Sequence, residues 1–280
     1  MILSHPTIAF IGAGNMASSI IGGLVSKGVA AESITASDPY PDSLLKLRQL
    51  APVNTTNDNH QAIANADVVV LAVKPQAMQA ILKDLASTAQ THKPLIISIA
   101  AGIETHSLNK WLGGNMAIVR CMPNTPALVQ TGATALFANA DVSKEQKQLA
   151  DQILRAVGIA LWVASESELD AVTAVSGSGP AYFFLVMEAM QAAGEKLGLS
   201  PDVAKQLTLQ TALGAAQMAI ASDVGTDELR RRVTSPGGTT EQALQVFEQG
   251  DLMPLFEQAL TACRDRSIEL AQLMDNDEDQ

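Results

Sequence analysis

Through the first half of the chain, short apolar runs alternate with longer stretches of helical period. The runs are "TIAFIG" (7–12), "SITASD" (33–38), "DVVVLAV" (67–73), "PLIISIA" (94–100) and "MAIVRC" (116–121). Unbroken apolar segments such as Val68-Val69-Val70-Leu71 and Ile96-Ile97 suit strands covered on both faces, the condition of a parallel sheet between helical layers. "ATALFAN" (133–139), a helix opened by the capping-box pair Ser143 and Gln146, and "IALWV" (159–163) extend that sheet by one more strand-helix-strand unit. The pattern predicts an α/β, doubly wound sheet.

Past about residue 165 the strand pattern stops, and helical segments rich in Ala, Leu, Met and Gln take over. Pro180 predicts the start of a helix running to about Lys196, "GLSPD" separates it from the next, and Ser200 with Pro201 supplies an N-cap and a first-turn proline. The stretch "LTLQTALGAAQMAIA" (207–221) is apolar almost all round. A small helical domain has little core in which to hide such a helix, so a second copy of the chain is expected to cover it. The predicted organisation is residues 1–164 as the sheet domain and residues 165–280 as an all-helical domain that dimerises. The closing "MDNDEDQ" reads as an acidic, frayed end.

Charge removes several function classes. With 18 Lys and Arg against 29 Asp and Glu, the chain carries a formal charge of −11, which argues against a nucleic-acid partner. Arg230, Arg231 and Arg232 are a local exception, read as a solvated helix face. The two cysteines, Cys121 and Cys263, have neither disulfide-framework nor metal-ligand spacing. The four histidines, His5, His60, His92 and His106, are scattered and form no ligand motif, so no metal is expected. "MILSHPTIAFIG" lacks the features of an export signal. The most apolar helical run, "AYFFLVMEAMQAAG", is interrupted by Glu188 and falls short of the roughly 18 residues that a membrane span needs. A soluble, cytoplasmic protein is expected.

The first chemical signal is "FIGAGNMASSIIGGL", where Gly12, Gly14 and Ala17 form G-x-G-x-x-A between a strand and a helix. The first glycine permits the tight turn, the second lets backbone approach a pyrophosphate, and the small third residue lets helix and strand pack closely. Free N–H groups at the helix start then meet the anion. Asp38, ending the second strand, stands either as acceptor for the ribose hydroxyls or as a cap before Pro39. "AVKPQ" and "SIAAG" end two further strands on the same side. Lys74, extended by the following proline, points to cofactor or to solvent. Asn59 stands at a helix start and reads equally as a cap.

Three polar, Gly/Pro-rich interruptions remain: "MPNTPALV" (122–129), "VSGSGPAYFF" (175–184) and "VTSPGGTTEQAL" (233–244). Read alone, "GGTTEQ" is a capped helix start, with Thr239 and Gln242 fitting a capping box, and "SGSGP" is a helix-helix turn. Neither offers a lysine or histidine as general base. Oxidation of an alcohol needs such a base, whereas reduction of a protonated C=N bond does not.

Taken in order with "FIGAGNM" and "AVKPQ", these motifs closely resemble the Δ1-pyrroline-5-carboxylate reductases, over essentially the whole chain. The resemblance implies a Rossmann-type sheet followed by an all-helical dimerisation domain, and NAD(P)H-dependent reduction of the cyclic imine to L-proline. It implies dinucleotide contacts at Ile11, Gly12, Ala13, Gly14, Asn15, Met16, Asp38, Asn59, Ala72, Val73, Lys74, Pro75, Ile99, Ala100 and Ala101. Substrate contacts fall at Ser176, Gly177, Ser178, Asp223, Gly237, Gly238, Thr239 and Thr240, with Thr240 catalytic. It further implies a homodimer and, in some members, a decamer. Asp38 departs from the family's Ser or Asn-Arg, and its like-charge repulsion of a 2′-phosphate tilts the cofactor from NADPH towards NADH. A different cyclic-imine or keto-acid reductase on the same scaffold, or a non-catalytic dinucleotide sensor, are the alternative readings.

Overall fold

The structure, a computed structural model, describes residues 6–276, with side chains described to Leu273. The first five residues, including His5, and residues 277–280 of the acidic end lie outside the described part. The chain forms two compact units. One holds the residues up to Ser178 together with those from Cys263 onward, and the other is Gly179–Ala262.

The first unit is built on eight strands: β1 (Ile8–Ile11), β2 (Ile34–Ser37), β3 (Asn54–Thr56), β4 (Val68–Leu71), β5 (Leu95–Ser98), β6 (Ile118–Met122), β7 (Gly132–Ala138) and β8 (Gly158–Trp162). Their order is β3-β2-β1-β4-β5-β6-β7-β8. All neighbours run parallel except β6 and β7, which are antiparallel. The helices between them are α1 (Asn15–Ser26), α2 (Pro41–Leu50), α3 (Asn59–Ile63), α4 (Pro75–His92), α5 (Thr105–Trp111) and α6 (Lys144–Leu154).

Strand alternation divides the core between the two sheet faces. Ile8 and Phe10 pack with Ile20, Ile21 and Leu47 on one face, while Ala9 and Ile11 pack with Met78, Leu82 and Leu85 on the other. Each large side chain so buried contributes about 1.5–3 kcal/mol. This explains why β1 reads as a continuous apolar run rather than an alternating one. Ser143 and Gln146 make the expected capping box on α6.

The chain then enters α7 (Glu168–Val172), a π-helical turn over Thr173–Gly177, and α8 (Gly179–Lys196). The helix expected from Pro180 to about Lys196 is present as α8, with the proline in its first turn; the π turn before it was not expected. Proline at the second position of α8 is tolerated because the irregular π turn comes immediately before it.

The second unit contains α8, α9 (Pro201–Ala221), α10 (Thr226–Arg232), α11 (Thr239–Gln249) and the beginning of α12 (Leu252–Asn276). Ser200 is the N-cap residue of α9, with Pro201 in its first turn. Of the residues of α9 only Ala204 and Thr208 are buried within the chain. Phe183, Phe184, Leu207, Leu213, Met218 and Ile220 are all exposed.

Candidate functional site

The strand order changes direction between β1 and β4, so helices leave their carboxyl ends towards opposite faces and a crevice opens there. Gly12 and Gly14 stand at this point with opposite surroundings. Gly12 has φ +102°, and a Cβ there would lie 2.7 Å from the Ala72 carbonyl oxygen, so only glycine lets β1 and β4 close together. Gly14 caps α1 at φ −72° without a side-chain cap bond. A Cβ on Gly14 would meet nothing within 4 Å. The space beside it, at the positive end of a twelve-residue helix, fits a pyrophosphate.

Asp38 is buried beneath this turn. Its carboxylate accepts from Ala13 N–H at 2.8 Å and from Tyr40 N–H at 2.9 Å. It therefore braces the glycine turn and caps the chain after Pro39 with separate oxygens, both of which retain lone pairs for further donors. Asn59 is not the cap of α3: Asp58 accepts from His60 and Gln61 N–H. The Asn59 amide oxygen instead accepts from Ser37 Oγ at 2.7 Å, which ties it to the end of β2.

Ala72 N–H donates to the Ile11 carbonyl at 2.8 Å, and Ile99 N–H to the Leu71 carbonyl at 3.1 Å, carrying the sheet register into the loops. Lys74 is extended at φ −63°, ψ 143° and exposed at the start of α4. Residues 11–16, Asp38, Asn59, 72–75 and 99–101 are thus at or just beyond the carboxyl ends of β1, β2, β3, β4 and β5.

Beside Pro75 and Ala101 lies a cavity of about 430 Å³, whose other walls include Thr173, Ser178 and Cys263. Ser178 stands at the exit of the π turn, and the Cys263 thiol donates to its Oγ at 3.3 Å. Ser176 and Gly177 belong to that same turn. The other thiol, Cys121, is fully enclosed, and burial pushes its pKa up to about 12.

The helical unit carries the remaining predicted residues. Asp223 lies in the α9–α10 connection, and Gly238 caps α11, whose first residues are Thr239 and Thr240. The Thr239–Gln242 capping box is corrected: Thr239 is already helical, and no side chain caps the helix. The loop is held instead by Glu241, which accepts from Gly237 N–H at 2.8 Å, with Gly237 at φ +70°. The start of α11 presents the exposed hydroxyls of Thr239 and Thr240, with the Glu241 carboxylate in the same first turn. Arg231 and Arg232 both pair with Glu228 on their own helix, which pulls that carboxyl below its ordinary pKa. They serve the solvated face.

Sequence reasoning missed a buried cluster. Glu166 accepts from Thr105 N–H at 2.7 Å, Thr105 Oγ1 at 2.6 Å and Arg120 at 3.0 Å, joining α5, β6 and the entrance to α7. Its members are 46 and 61 residues apart, and no local spacing announces them. Among the described residues, no group of three or more His, Cys, Asp or Glu could hold a metal ion.

Residues 166–270 match the family model for pyrroline-5-carboxylate reductase dimerisation, and residues 7–102 match that for NADP oxidoreductase, coenzyme F420-dependent. The chain is 58% identical to a pyrroline-5-carboxylate reductase of Pseudomonas aeruginosa, over 96% of this chain and 98% of the relative. A solved pyrroline-5-carboxylate reductase from Coxiella burnetii superposes with a TM-score of 0.92 at 49% identity, covering 95% of this chain and 99% of that one. The Plasmodium falciparum pyrroline carboxylate reductase, solved with NADP bound, gives 0.83 at 29% identity, covering 95% and 98%.

Proposed function

The chain belongs to the pyrroline-5-carboxylate reductase family, and on that premise we propose that it reduces Δ1-pyrroline-5-carboxylate to L-proline, the last step of proline biosynthesis, with NADPH or NADH. The observation that carries this reading is the near full-length likeness to named reductases, joined to the open cradle at Gly14. When bound, the dihydronicotinamide supplies the hydride. Residues 11–16, 72–75 and 99–101 bind the dinucleotide along the strand ends, with Asp38 and Asn59 at its ribose. Asp38 favours NADH, because a carboxylate repels a 2′-phosphate.

The α11 entrance receives the substrate. Its N–H groups at Thr239 and Thr240 hold the substrate carboxylate, Gly238 N–H being already given to the Ser235 carbonyl at 3.0 Å, and the Thr240 hydroxyl accepts from the protonated ring nitrogen and donates to its lone pair once hydride has been added. Asp223, Gly237, Ser176, Gly177 and Ser178 complete the binding residues. An imine that is already protonated asks for position and a hydrogen bond rather than a strong base, in keeping with the hydroxyl and backbone groups present.

The working form is a homodimer through the helical domain, residues 165–280, with residues 1–164 as the dinucleotide domain; a ring of five dimers is the larger assembly. By length and composition Glu168–Lys196 is apolar enough to cross a membrane. A second copy, rather than lipid, covers it: the stretch lies wholly within the region matched to the dimerisation model, and it shares its exposed apolar character with α9. The protein acts in the cytoplasm, without nucleic-acid or membrane partners.

Thr240→Ala is the direct test of the chemistry. Turnover is expected to fall by about 10²–10³-fold, while NADH affinity, measured by fluorescence titration, stays at the wild-type value. Unchanged turnover would remove Thr240 from this role.

A further inference from the structure

"MPNTPALV" has no place in the mechanism above, yet its asparagine is committed at both ends. Asn124 is 8% exposed. Its Oδ1 accepts from Ala133 N–H at 2.8 Å, and its Nδ2 donates to the Ser176 carbonyl at 3.0 Å. That carbonyl has a particular need. In an α-helix it would accept from the residue four positions later, which is Pro180 and has no N–H. The Asn124 amide supplies the missing donor.

The chain around Ser176 is correspondingly irregular. Ser178 N–H reaches back five residues to the Thr173 carbonyl at 2.8 Å, inserting an extra residue into the turn. Gly177 faces Met122: a Cβ there would lie 2.6 Å from the methionine's terminal methyl. Met122 and Asn124 thus grip the π turn from either side of Pro123. The turn, in its turn, forms a wall of the strand-end cavity through Thr173 and Ser178. Ser178 Oγ accepts the Cys263 thiol, which leaves its own proton to donate.

We infer that Asn124 is a positioning residue for the reduction: it holds the π turn at Thr173–Gly177, and thereby fixes where Ser178 stands in the wall of the cavity beside Pro75 and Ala101. The inference rests on the proposed reductase reading for its kinetic consequence, but not for its structural one. Asn124 does not touch the reacting atoms. It acts through the Ser176 carbonyl, and its loss frees the turn to repack.

Cys263 supplies a built-in reporter, since Cys121 is enclosed and its thiol is held protonated by burial. Asn124→Asp keeps the side chain's shape and the acceptor for Ala133 N–H but sets a carboxylate against the Ser176 carbonyl. In the folded, cofactor-free variant, iodoacetamide should alkylate Cys263 about fivefold or more faster than in wild type, as its bond to Ser178 is lost. With pyrroline-5-carboxylate, kcat should fall by about a hundredfold, the isotope effect from C4-deuterated NADH should rise, and NADH affinity should stay near wild type. Asn124→Ser, read against the folded fraction from a thermal melt, carries the same test if the aspartate variant does not fold. Wild-type alkylation and kcat in the folded fraction, or activity lost only in proportion to unfolding, would overturn the inference. Wild-type protein that fails to reduce the imine at all would overturn the reductase reading instead, and the alkylation rates would still decide the role of Asn124.

Discussion

Gly12 and Gly14 are one motif in sequence and two different demands in space. Gly12→Ala places a Cβ against the Ala72 backbone at φ +102° and is expected to cost about 2–3 kcal/mol of stability, seen as a lower melting temperature. Gly14→Ala meets no protein atom and has an ordinary φ, so stability should stay within about 0.5 kcal/mol. NADH should nevertheless bind roughly tenfold more weakly, a loss of about 1.4 kcal/mol, because the methyl occupies the pyrophosphate cradle. A Gly14→Ala protein with wild-type affinity would contradict the placement of the dinucleotide. Of the two roles that sequence left open at Asp38, cap before Pro39 and ribose acceptor, the cap is made through Tyr40 N–H; the carboxylate also braces Ala13 and keeps lone pairs for further donors. Asp38→Asn keeps one oxygen acceptor and removes the charge. The ratio of kcat/KM for NADPH over NADH should rise by about tenfold, near 1.4 kcal/mol of relieved repulsion.

At the scale of elements, apolar runs gave away seven of the strands, most plainly β1, β4 and β5, which are buried along their whole length and must be continuous in hydrophobicity. β3 escaped because Asn54, Thr55 and Thr56 form a short edge strand with no buried residue to mark it. The π turn before Pro180 escaped for a different reason: proline marks the helix start by a local rule, while the donor that compensates its missing N–H comes from Asn124, 52 residues from the carbonyl it serves. Glu166 is the same kind of case. Its side chain satisfies α5 and the buried Arg120, whose own side chain is 7% exposed. Glu166→Ala strands that guanidinium without its counter-charge and should destabilise the protein by about 3–5 kcal/mol, measured by urea denaturation. A change below 1 kcal/mol would mean that water replaces the carboxylate at little cost. The glycine turn and the strand ends were legible because their requirements are local; the cavity wall was not, because it joins the α7–α8 turn, α12 and two loops.

For the whole molecule, the hydrophobic pattern pointed correctly to an α/β sheet followed by helices, and the apolar α9 is where that has its main physical consequence. Leu213 is 52% and Ile220 86% exposed in the isolated chain. A patch of that kind is expected to be covered by association. Leu213→Glu should therefore shift the protein from dimer or larger towards monomer in sedimentation velocity. Persistence of the wild-type assembly would direct attention to another face. The chemistry is decided by initial rates of NADH and NADPH oxidation with Δ1-pyrroline-5-carboxylate, beside pyrroline-2-carboxylate and 2-oxo acids. Rapid oxidation with pyrroline-5-carboxylate, L-proline as product and a higher kcat/KM for NADH than for NADPH are expected. Preference for another imine or a 2-oxo acid, or NADH binding with no turnover of any of them, would rule out this reductase activity.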